Sequence, residues 1–327
     1  MSDPIPLAPR EEQDRRIAVS LKRQLGEFAR YVGAEGVTDL MLNPDGRVWV
    51  HVAGQGKRMV GCMSPGAAEA FIGTVASTVR AAVTRDDPIL ECELPAEPPF
   101  NGARIEAMLP PVVRAPSFAI RFHATRIYTP DDYVHAGIMT PLQRALLRDA
   151  AEQRWNAIIS GGPGSGKTTL LNAFIHEVSC VAPEHRLILM EDGTRELQCR
   201  AEDAVALRAT DTVDCSRLLK VTLRLGPDRP FLGEMRGGEA LALLKAWNTD
   251  NPGGAATLHA NDARRVPRRM EQMIQEVSLV PQQEVIAEAV NLIVHISKVR
   301  EAPGRRVKEI VALRGYEDGR YQFETLG

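Results

Sequence analysis

The sequence has few aromatic residues, few cysteines and no long apolar run, and each shortage excludes a class of protein. Phe, Trp and Tyr make up 5% of the 327 residues, so a surface that binds single-stranded nucleic acid by stacking is not expected. The five cysteines are odd in number and lack a CxxC pair, which predicts reduced thiols without a zinc site. No stretch approaches the ~18 apolar residues of a membrane-spanning helix.

The chain also lacks an excess of either charge. A formal net charge of -2 excludes a surface built to coat nucleic acid, although a local basic patch is compatible with it. The first residues have no apolar core of a signal peptide, so we expect a cytoplasmic protein whose membrane association, if any, comes through partners or an amphipathic surface. A chain of 327 residues with 44% hydrophobic composition predicts two globular domains.

The first part of the chain predicts a small α+β domain over residues 1–124. Apolar residues recur at helical spacing between Glu11 and Val32, and Ser64-Pro65 predicts the start of a second helix that runs to about Ala82. Short β-prone runs with turn signals, one of them at Gly54 to Gly56, separate and follow these helices. Further strands are predicted at Ile89 to Glu93, Arg104 to Leu109 and Ser117 to Arg121.

The second part of the chain has a different pattern. Residues 125–137 predict a linker, in which Thr129-Pro130 and the following Thr140-Pro141 each supply a helix start. Over residues 138–327, the short apolar runs NAIIS, LILME, PFLGE, AATLH and NLIVHI alternate with helical stretches. This alternation predicts an α/β domain with a mostly parallel sheet. Asp318-Gly319 predicts a closing hairpin.

A phosphate-binding loop is predicted between one of these runs and a helix. The pattern GxxxxGK[ST] is matched by Gly161, Gly166, Lys167 and Thr168. Glycines allow backbone N–H groups and a helix N-terminus to face phosphate oxygens, while Lys167 reaches the β- and γ-phosphates and Thr168 binds Mg²⁺. The predicted ligands are therefore ATP and Mg²⁺. The predicted nucleotide-binding residues are Gly161, Gly162, Pro163, Gly164, Ser165, Gly166, Lys167, Thr168 and Thr169.

Carboxylates follow two of the predicted strands. Glu191 and Asp192 come after LILM, and Glu234 comes after PFLG, where the carboxyl ends of parallel strands bind ligands. Each one alone is as compatible with a loop residue or a helix cap as with catalysis. His259 closes the run AATL, and a lone histidine there is more often structural than catalytic.

The motifs GGPGSGKTTL, LMEDGTREL, FLGEMRGGEAL and GGAATLHAND occur in this order. Together they resemble the secretion ATPases that drive type IV secretion, conjugation, type II secretion and retractile pili. The resemblance covers most of residues 138–300. Within that family, LMLNPDGRVWV, ARIEAMLPPVV and SFAIR resemble the conjugal-transfer branch, which extends the likeness over nearly the full chain.

This resemblance implies a homohexameric ring whose subunits pair an N-terminal α+β domain with a RecA-like ATPase domain. Gly161 to Thr169 match the Walker A motif, and Glu191 and Asp192 lie in the aspartate box. Glu234 ends the Walker B match, and His259 is the histidine of the histidine box. The family assigns Glu191 as general base and Glu234 as a Mg²⁺ ligand through water.

The resemblance also implies arginines near the γ-phosphate, contributed by the N-terminal domain, that stabilise charge in the transition state. Arg104 in ARIEAM and Arg121 in SFAIR match best. Solvated charges at strand ends are an equal alternative for both. Arg224, Arg229 and Arg236 flank the Walker B strand and are weaker candidates.

Two other functions stay open at this point. One is the ATPase of a type II secretion or type IV pilus system, whose members often carry a four-cysteine zinc site that this sequence lacks. The other is a nucleotide-ordered scaffold or DNA-binding adaptor with negligible hydrolysis. The basic pairs Arg264-Arg265, Arg268-Arg269 and Arg305-Arg306 are explained more simply as solvated faces, so direct nucleic-acid binding is not predicted.

Overall fold

A computed structural model describes residues 9–52, 55–122, 127–193, 196–210, 212–249 and 251–327. The chain divides into two compact units, Met1–Thr125 and Arg126–Gly327. No helix among the described residues is both long and apolar enough to cross a membrane. Some residues of the predicted elements lie outside the described residues. They are the first eight residues of the predicted first domain, Gly54 of a predicted turn, Thr125 and Arg126 of the predicted linker, and Thr194 and Arg195 of the motif LMEDGTREL.

The first unit is an antiparallel sheet covered by helices. The helices are α1 (Pro9–Gln24) and α2 (Pro65–Thr78), with a 3₁₀ helix at Gly26–Tyr31. The strands are β1 (Val37–Leu42), β2 (Arg47–Val52), β3 (Gly56–Cys62), β4 (Ile89–Glu93), β5 (Arg104–Met108) and β6 (Ser117–Arg121). Their order in the six-stranded sheet is β3-β2-β1-β6-β5-β4.

Side chains alternate between the two faces of this sheet. Leu40 of β1 is buried in one apolar cluster with Leu21 of α1 and Phe71 of α2, whereas the neighbouring Asp39 is only partly buried. Successive strand residues point to opposite faces, so one face packs on the helices and the other carries the polar residues.

The second unit is an α/β sandwich. Its helices are α3 (Pro130–His135), α4 (Pro141–Glu152), α5 (Lys167–Val181), α6 (Cys215–Thr222), α7 (Glu239–Trp247), α8 (Val266–Ile274) and α9 (Gln283–Ala289). Its strands are β7 (Ala157–Ser160), β8 (Leu187–Glu191), β9 (Ala204–Arg208), β10 (Arg229–Leu232), β11 (Ala255–Leu258), β12 (Leu292–Lys298), β13 (Arg305–Glu317) and β14 (Arg320–Thr325).

These strands form an eight-stranded sheet in the order β14-β13-β12-β7-β11-β10-β8-β9. The strands from β12 to β9 in this order are parallel, and β13 and β14 continue the sheet in antiparallel pairing. Ile158 packs in one apolar cluster with Leu243 of α7, and Ile159 packs in another with Phe174 of α5. The sheet is therefore buried on both faces, which confirms the predicted fold class.

Several local predictions are confirmed. Each of them depends on side chains within a few residues of one another. Thr129 and Thr140 cap α3 and α4 through reciprocal capping boxes, each followed by a proline. Asp318 and Gly319 both have positive φ, as a two-residue turn between antiparallel strands requires. Strand β9 was not predicted, because residues 204–208 lie at the edge of the sheet and are only partly buried.

A buried arginine lies at the amino-terminal edge of this sheet. Arg229, the first residue of β10, pairs in register with Leu187, the first residue of β8. Its side chain is 1% exposed; Nε donates to His185 Nδ1 at 2.9 Å and Nη1 donates to the Ala151 carbonyl at 2.7 Å. The loop predicted to bind phosphate follows the carboxyl end of β7, at the opposite edge of the sheet. The weaker suggestion of Arg229 as a γ-phosphate contact is therefore wrong.

This contact makes stability depend on pH. Burial and then the Arg229 guanidinium lower the pKa of His185, and the other charges that act on it are Arg154, Asp228 and Glu184. Neutral His185 therefore contributes stability fully above its unfolded-state pKa of about 6.5, and this contribution is lost as the pH falls below that value toward the lowered folded-state pKa.

We expect His185→Asn, which keeps an acceptor oxygen but does not titrate, to flatten the pH dependence of the free energy of unfolding. Urea denaturation across the acidic range measures this slope for the wild type and the variant. The same substitution at partly exposed His176 is the control, and it is expected to leave the slope unchanged. Equal slopes for wild type and His185→Asn would contradict the assignment.

Candidate active site

The loop between β7 and α5 has the backbone shape of an anion-binding turn. Strand β7 ends at Ser160 and α5 begins at Lys167. Gly164 and Gly166 have φ values of +64° and +99°, which favour glycine. Glycines in this conformation directly before a helix N-terminus are typical of loops that bind phosphate oxygens through backbone N–H groups.

The chemistry of the loop fits a polyphosphate. The Ser165 hydroxyl is buried and has no hydrogen-bond partner within the described part of the chain, although buried polar groups are normally paired. Lys167 is 7% exposed, so its ammonium is held inside the site. A ligand that supplies several anionic oxygens would satisfy both groups.

The other predicted loop residues complete the turn. Gly162 accepts from the Lys167 ammonium through its carbonyl at 3.3 Å. Pro163 is exposed and has no N–H to donate. Thr168 and Thr169 occupy the first turn of α5 and are partly buried.

Lys167, His259 and Glu234 form a continuous chain of contacts. Lys167 Nζ lies 3.1 Å from His259 Nδ1, and His259 Nε2 lies 2.8 Å from Glu234 Oε1. The ammonium has only donors, so the histidine Nδ1 accepts and its Nε2–H donates to the carboxylate. This assigns the neutral Nε2–H tautomer to His259 and brings together three of the predicted site residues.

The chain of contacts continues through an arginine. Arg236 Nη2 lies 2.7 Å from Glu234 Oε2, and Arg236 Nη1 lies 2.9 Å from Asp192 Oδ2. Arg236 thus joins the Walker B loop to the aspartate box. Both of its partners are carboxylates, so its charge is already paired in this structure, in contrast to the suggested role at a γ-phosphate. Arg224 is exposed beyond the end of α6.

Glu191 makes a different set of contacts from its neighbour Asp192. Its Oε1 accepts from the backbone N–H groups of Glu196 at 2.7 Å and Leu197 at 2.9 Å. The side chain is 5% exposed, and a Cβ built on Gly233 would lie 3.3 Å from its Cγ. The glycine before Glu234 therefore lets the two strand ends approach closely.

The surroundings of Lys167 shift its pKa in opposite directions. Burial lowers its pKa, while the negative charges of Glu234 and Glu196 raise it. The net direction is downward, because an ammonium loses hydration when it is buried. An anionic ligand would favour the charged form and strengthen its own binding.

Arg104 and Arg121 belong to the first unit, and the loop described above belongs to the second. They lie directly opposite each other on β5 and β6. Arg121 Nε donates to Asp39 Oδ1 at 3.0 Å, and its side chain is exposed. Their role at a phosphate remains a prediction.

Two further cations lie against the loop. The sequence analysis did not single out Lys298, and it interpreted Arg305 as part of a solvated basic pair. Lys298 Nζ is the nearest atom to a Cβ built on Gly164, and Arg305 Nη1 is the nearest to one built on Gly166. Neither belongs to a recognised motif. Its place at the end of a predicted strand could have identified Lys298 from the sequence. This strand, NLIVHISK, pairs with β7, which leads into the loop.

The family described as "Type II/IV secretion system protein" matches residues 60–311. The chain is 49% identical over 311 residues to "Probable conjugal transfer protein TrbB" of Sinorhizobium fredii, which covers 95% of this chain and 94% of that protein. It is also 49% identical over 288 residues to "Conjugal transfer protein TrbB" of Rhizobium radiobacter, with coverage of 88% and 87%.

Solved structures show the same fold at low identity. The ATPase DotB of Yersinia pseudotuberculosis aligns with a TM-score of 0.65 at 15% identity, over 90% of this chain and 79% of that one. The pilus retraction motor PilT with bound ADP aligns with a TM-score of 0.62 at 16% identity, over 98% and 84%. The chain therefore belongs to the type II/IV secretion system protein family, with TrbB conjugal transfer proteins among its relatives.

Proposed function

We propose that this chain hydrolyses Mg-ATP and powers a conjugative type IV secretion machine as a homohexameric motor on the cytoplasmic side of the inner membrane. The observation that carries the proposal is the unbroken chain of contacts from Lys167 through His259, Glu234 and Arg236 to Asp192. It links all four sequence motifs at one edge of one sheet, beside the loop predicted to bind phosphate.

The loop supplies the binding part of the site. Backbone N–H groups between Gly161 and Thr168 hold the polyphosphate, and the Lys167 ammonium contacts its β- and γ-oxygens. The hydrogen bonds that Lys167 now makes, to a carbonyl and to a neutral imidazole, are weaker than those to phosphate oxygens. The lysine therefore exchanges acceptors when nucleotide binds.

The carboxylates supply the chemistry. Thr168, and Glu234 through a water molecule, would hold Mg²⁺, which would supply neutralisation of charge on the phosphate oxygens. Glu191 positions and deprotonates the attacking water, and the two backbone donors on its Oε1 fix the carboxylate for this task. His259, directly after β11, contacts both Lys167 and Glu234, so it positions these two side chains relative to each other.

The conjugative branch is favoured over the alternative of a type II secretion or pilus ATPase. The relatives that are 49% identical are named as conjugal transfer proteins. The sequence also lacks the four-cysteine cluster that members of that alternative often carry. Inner-membrane components of the transfer channel are the proposed partners.

The ring assembly and the arginines are the parts of the proposal that rest on family resemblance. A homohexamer would bring the N-terminal domains and nucleotide sites into a closed ring. Arg104 and Arg121 are proposed to stabilise negative charge on the transferred phosphoryl group.

Lys167→Ala is expected to abolish measurable ATP hydrolysis and to weaken Mg-ATP binding, because it removes the ammonium that is proposed to contact the β- and γ-phosphates. Steady-state phosphate release and calorimetry with Mg-ATP measure the two effects. Lys245→Ala, a lysine in the last turn of α7, is the control and should behave as the wild type. Undiminished turnover by Lys167→Ala would refute the proposed mechanism.

Glu191→Gln and Glu234→Gln are expected to separate the two carboxylate roles. Each should reduce kcat by about 10²-fold or more, as loss of a general base or of a metal ligand does. Only Glu234→Gln should raise the Mg²⁺ concentration needed for half-maximal activity. Magnesium titrations of both variants test the assignment, with Glu288→Gln, at an exposed glutamate of α9, as the matched control. A raised magnesium requirement in Glu191→Gln instead would reverse it.

A further inference from the structure

The β12–β13 hairpin runs alongside the phosphate-binding loop. Strand β12 pairs with β7, with His295 opposite Ser160, so the residues after His295 continue beside the loop that follows Ser160. At Gly161 the Ile296 carbonyl lies so close that a side chain on this glycine would collide with it. The end of the hairpin is therefore fixed against the loop by backbone packing.

Two cations occupy this end of the hairpin. Lys298, the last residue of β12, pairs directly with Arg305, the first residue of β13. A Cβ built on Gly164 would lie 3.0 Å from Lys298 Nζ, and one built on Gly166 would lie 2.8 Å from Arg305 Nη1. Both charged groups, not only their aliphatic stems, thus lie at the glycines of the loop.

This pairing is electrostatically unfavourable without an anion. Like charges directly opposite each other on neighbouring strands destabilise a sheet. Neither Lys298 nor Arg305 forms an ion pair with a carboxylate among the residues that the structure describes. The other cation of the loop, Lys167, likewise contacts a carbonyl and an imidazole, not a carboxylate. Three positive charges therefore surround a loop of backbone N–H donors.

We propose that Lys298 and Arg305 bind the phosphates of the nucleotide, as a second cationic arm of the site beside Lys167. This inference rests on the proposed function and adds two phosphate-binding residues to it. The ligand class is a nucleoside di- or triphosphate, because a single loop with three cations beside it matches several adjacent anionic oxygens. Binding also relieves the repulsion between the two paired side chains.

The test replaces Lys298 and Arg305 with uncharged residues that retain most of the aliphatic part of each side chain. Lys298→Met combined with Arg305→Gln is expected to weaken Mg-ATP binding by about tenfold or more at low salt, since a hydrogen bond to a charged group contributes that much. The dependence of binding on salt should become shallower, because fewer charges remain to be screened. Isothermal calorimetry with Mg-ATP at low and high salt measures both quantities on the full chain.

Three comparisons make the result specific. Lys298→Arg with Arg305→Lys conserves charge and is expected to retain most of the affinity. Arg306→Gln changes the next residue of β13, which points to the opposite face, and is expected to bind like the wild type. Lys298→Met alone changes an exposed side chain, so it tests the charge even if the double variant is unstable; we expect a loss of roughly threefold.

The outcomes separate this inference from the proposed function. Wild-type affinity and salt dependence in both Lys298→Met and the double variant would overturn the second cationic arm. An equal loss in Arg306→Gln would also overturn it, because the effect would then be a general surface charge effect. Failure of the wild type itself to bind Mg-ATP would instead remove the proposed function.

Discussion

Parallel strands bring their carboxyl ends to one edge of a sheet, and the functional part of this chain depends on that constraint. Strand β7 pairs in parallel with both β11 and β12. Leu258 lies opposite Ser160, so His259 and the glycine loop leave the sheet at the same level. Leu232 lies opposite Met190, which places Glu234 beside the aspartate box. Residues separated by up to about a hundred positions therefore meet without any long loop.

Burial on both faces fixes this register. Ile158 and Ile159 pack into opposite apolar clusters, so a shift of β7 by one residue would exchange their environments. At the carboxyl edge of the sheet, Gly233 has no side chain, which allows the Glu191 side chain to lie close to the residue before Glu234. The rigidity of the sheet thus holds the carboxylates, and the glycines admit the close contacts between their loops.

The Glu234 and Asp192 carboxylates of the site are paired with protein side chains, whereas the Lys167 ammonium is not paired with a carboxylate among the described residues. Glu234 is shared between His259 and Arg236, and the latter also pairs with Asp192. Within the described part of the chain, Lys167 contacts a carbonyl and an imidazole and no carboxylate. An incoming polyphosphate can take over this lysine without breaking an ion pair. The arrangement favours ligand binding at the lysine and preserves the scaffold behind it.

The sequence alone determined the helix caps at Thr129 and Thr140, the central strands and the composition of the glycine loop, because each depends on side chains within a few residues or on a continuous apolar run. It also determined that Glu191, Glu234 and His259 lie at or just beyond the carboxyl ends of strands. Only the tertiary structure decided which contacts these residues make.

Pairing in the sheet, which joins distant segments, placed His259 against Lys167 and brought Arg236 to Asp192. The same pairing put Lys298 and Arg305 beside the loop and Arg229 at the opposite edge. No local pattern encodes such neighbours, because strand order and register arise from packing of the whole domain.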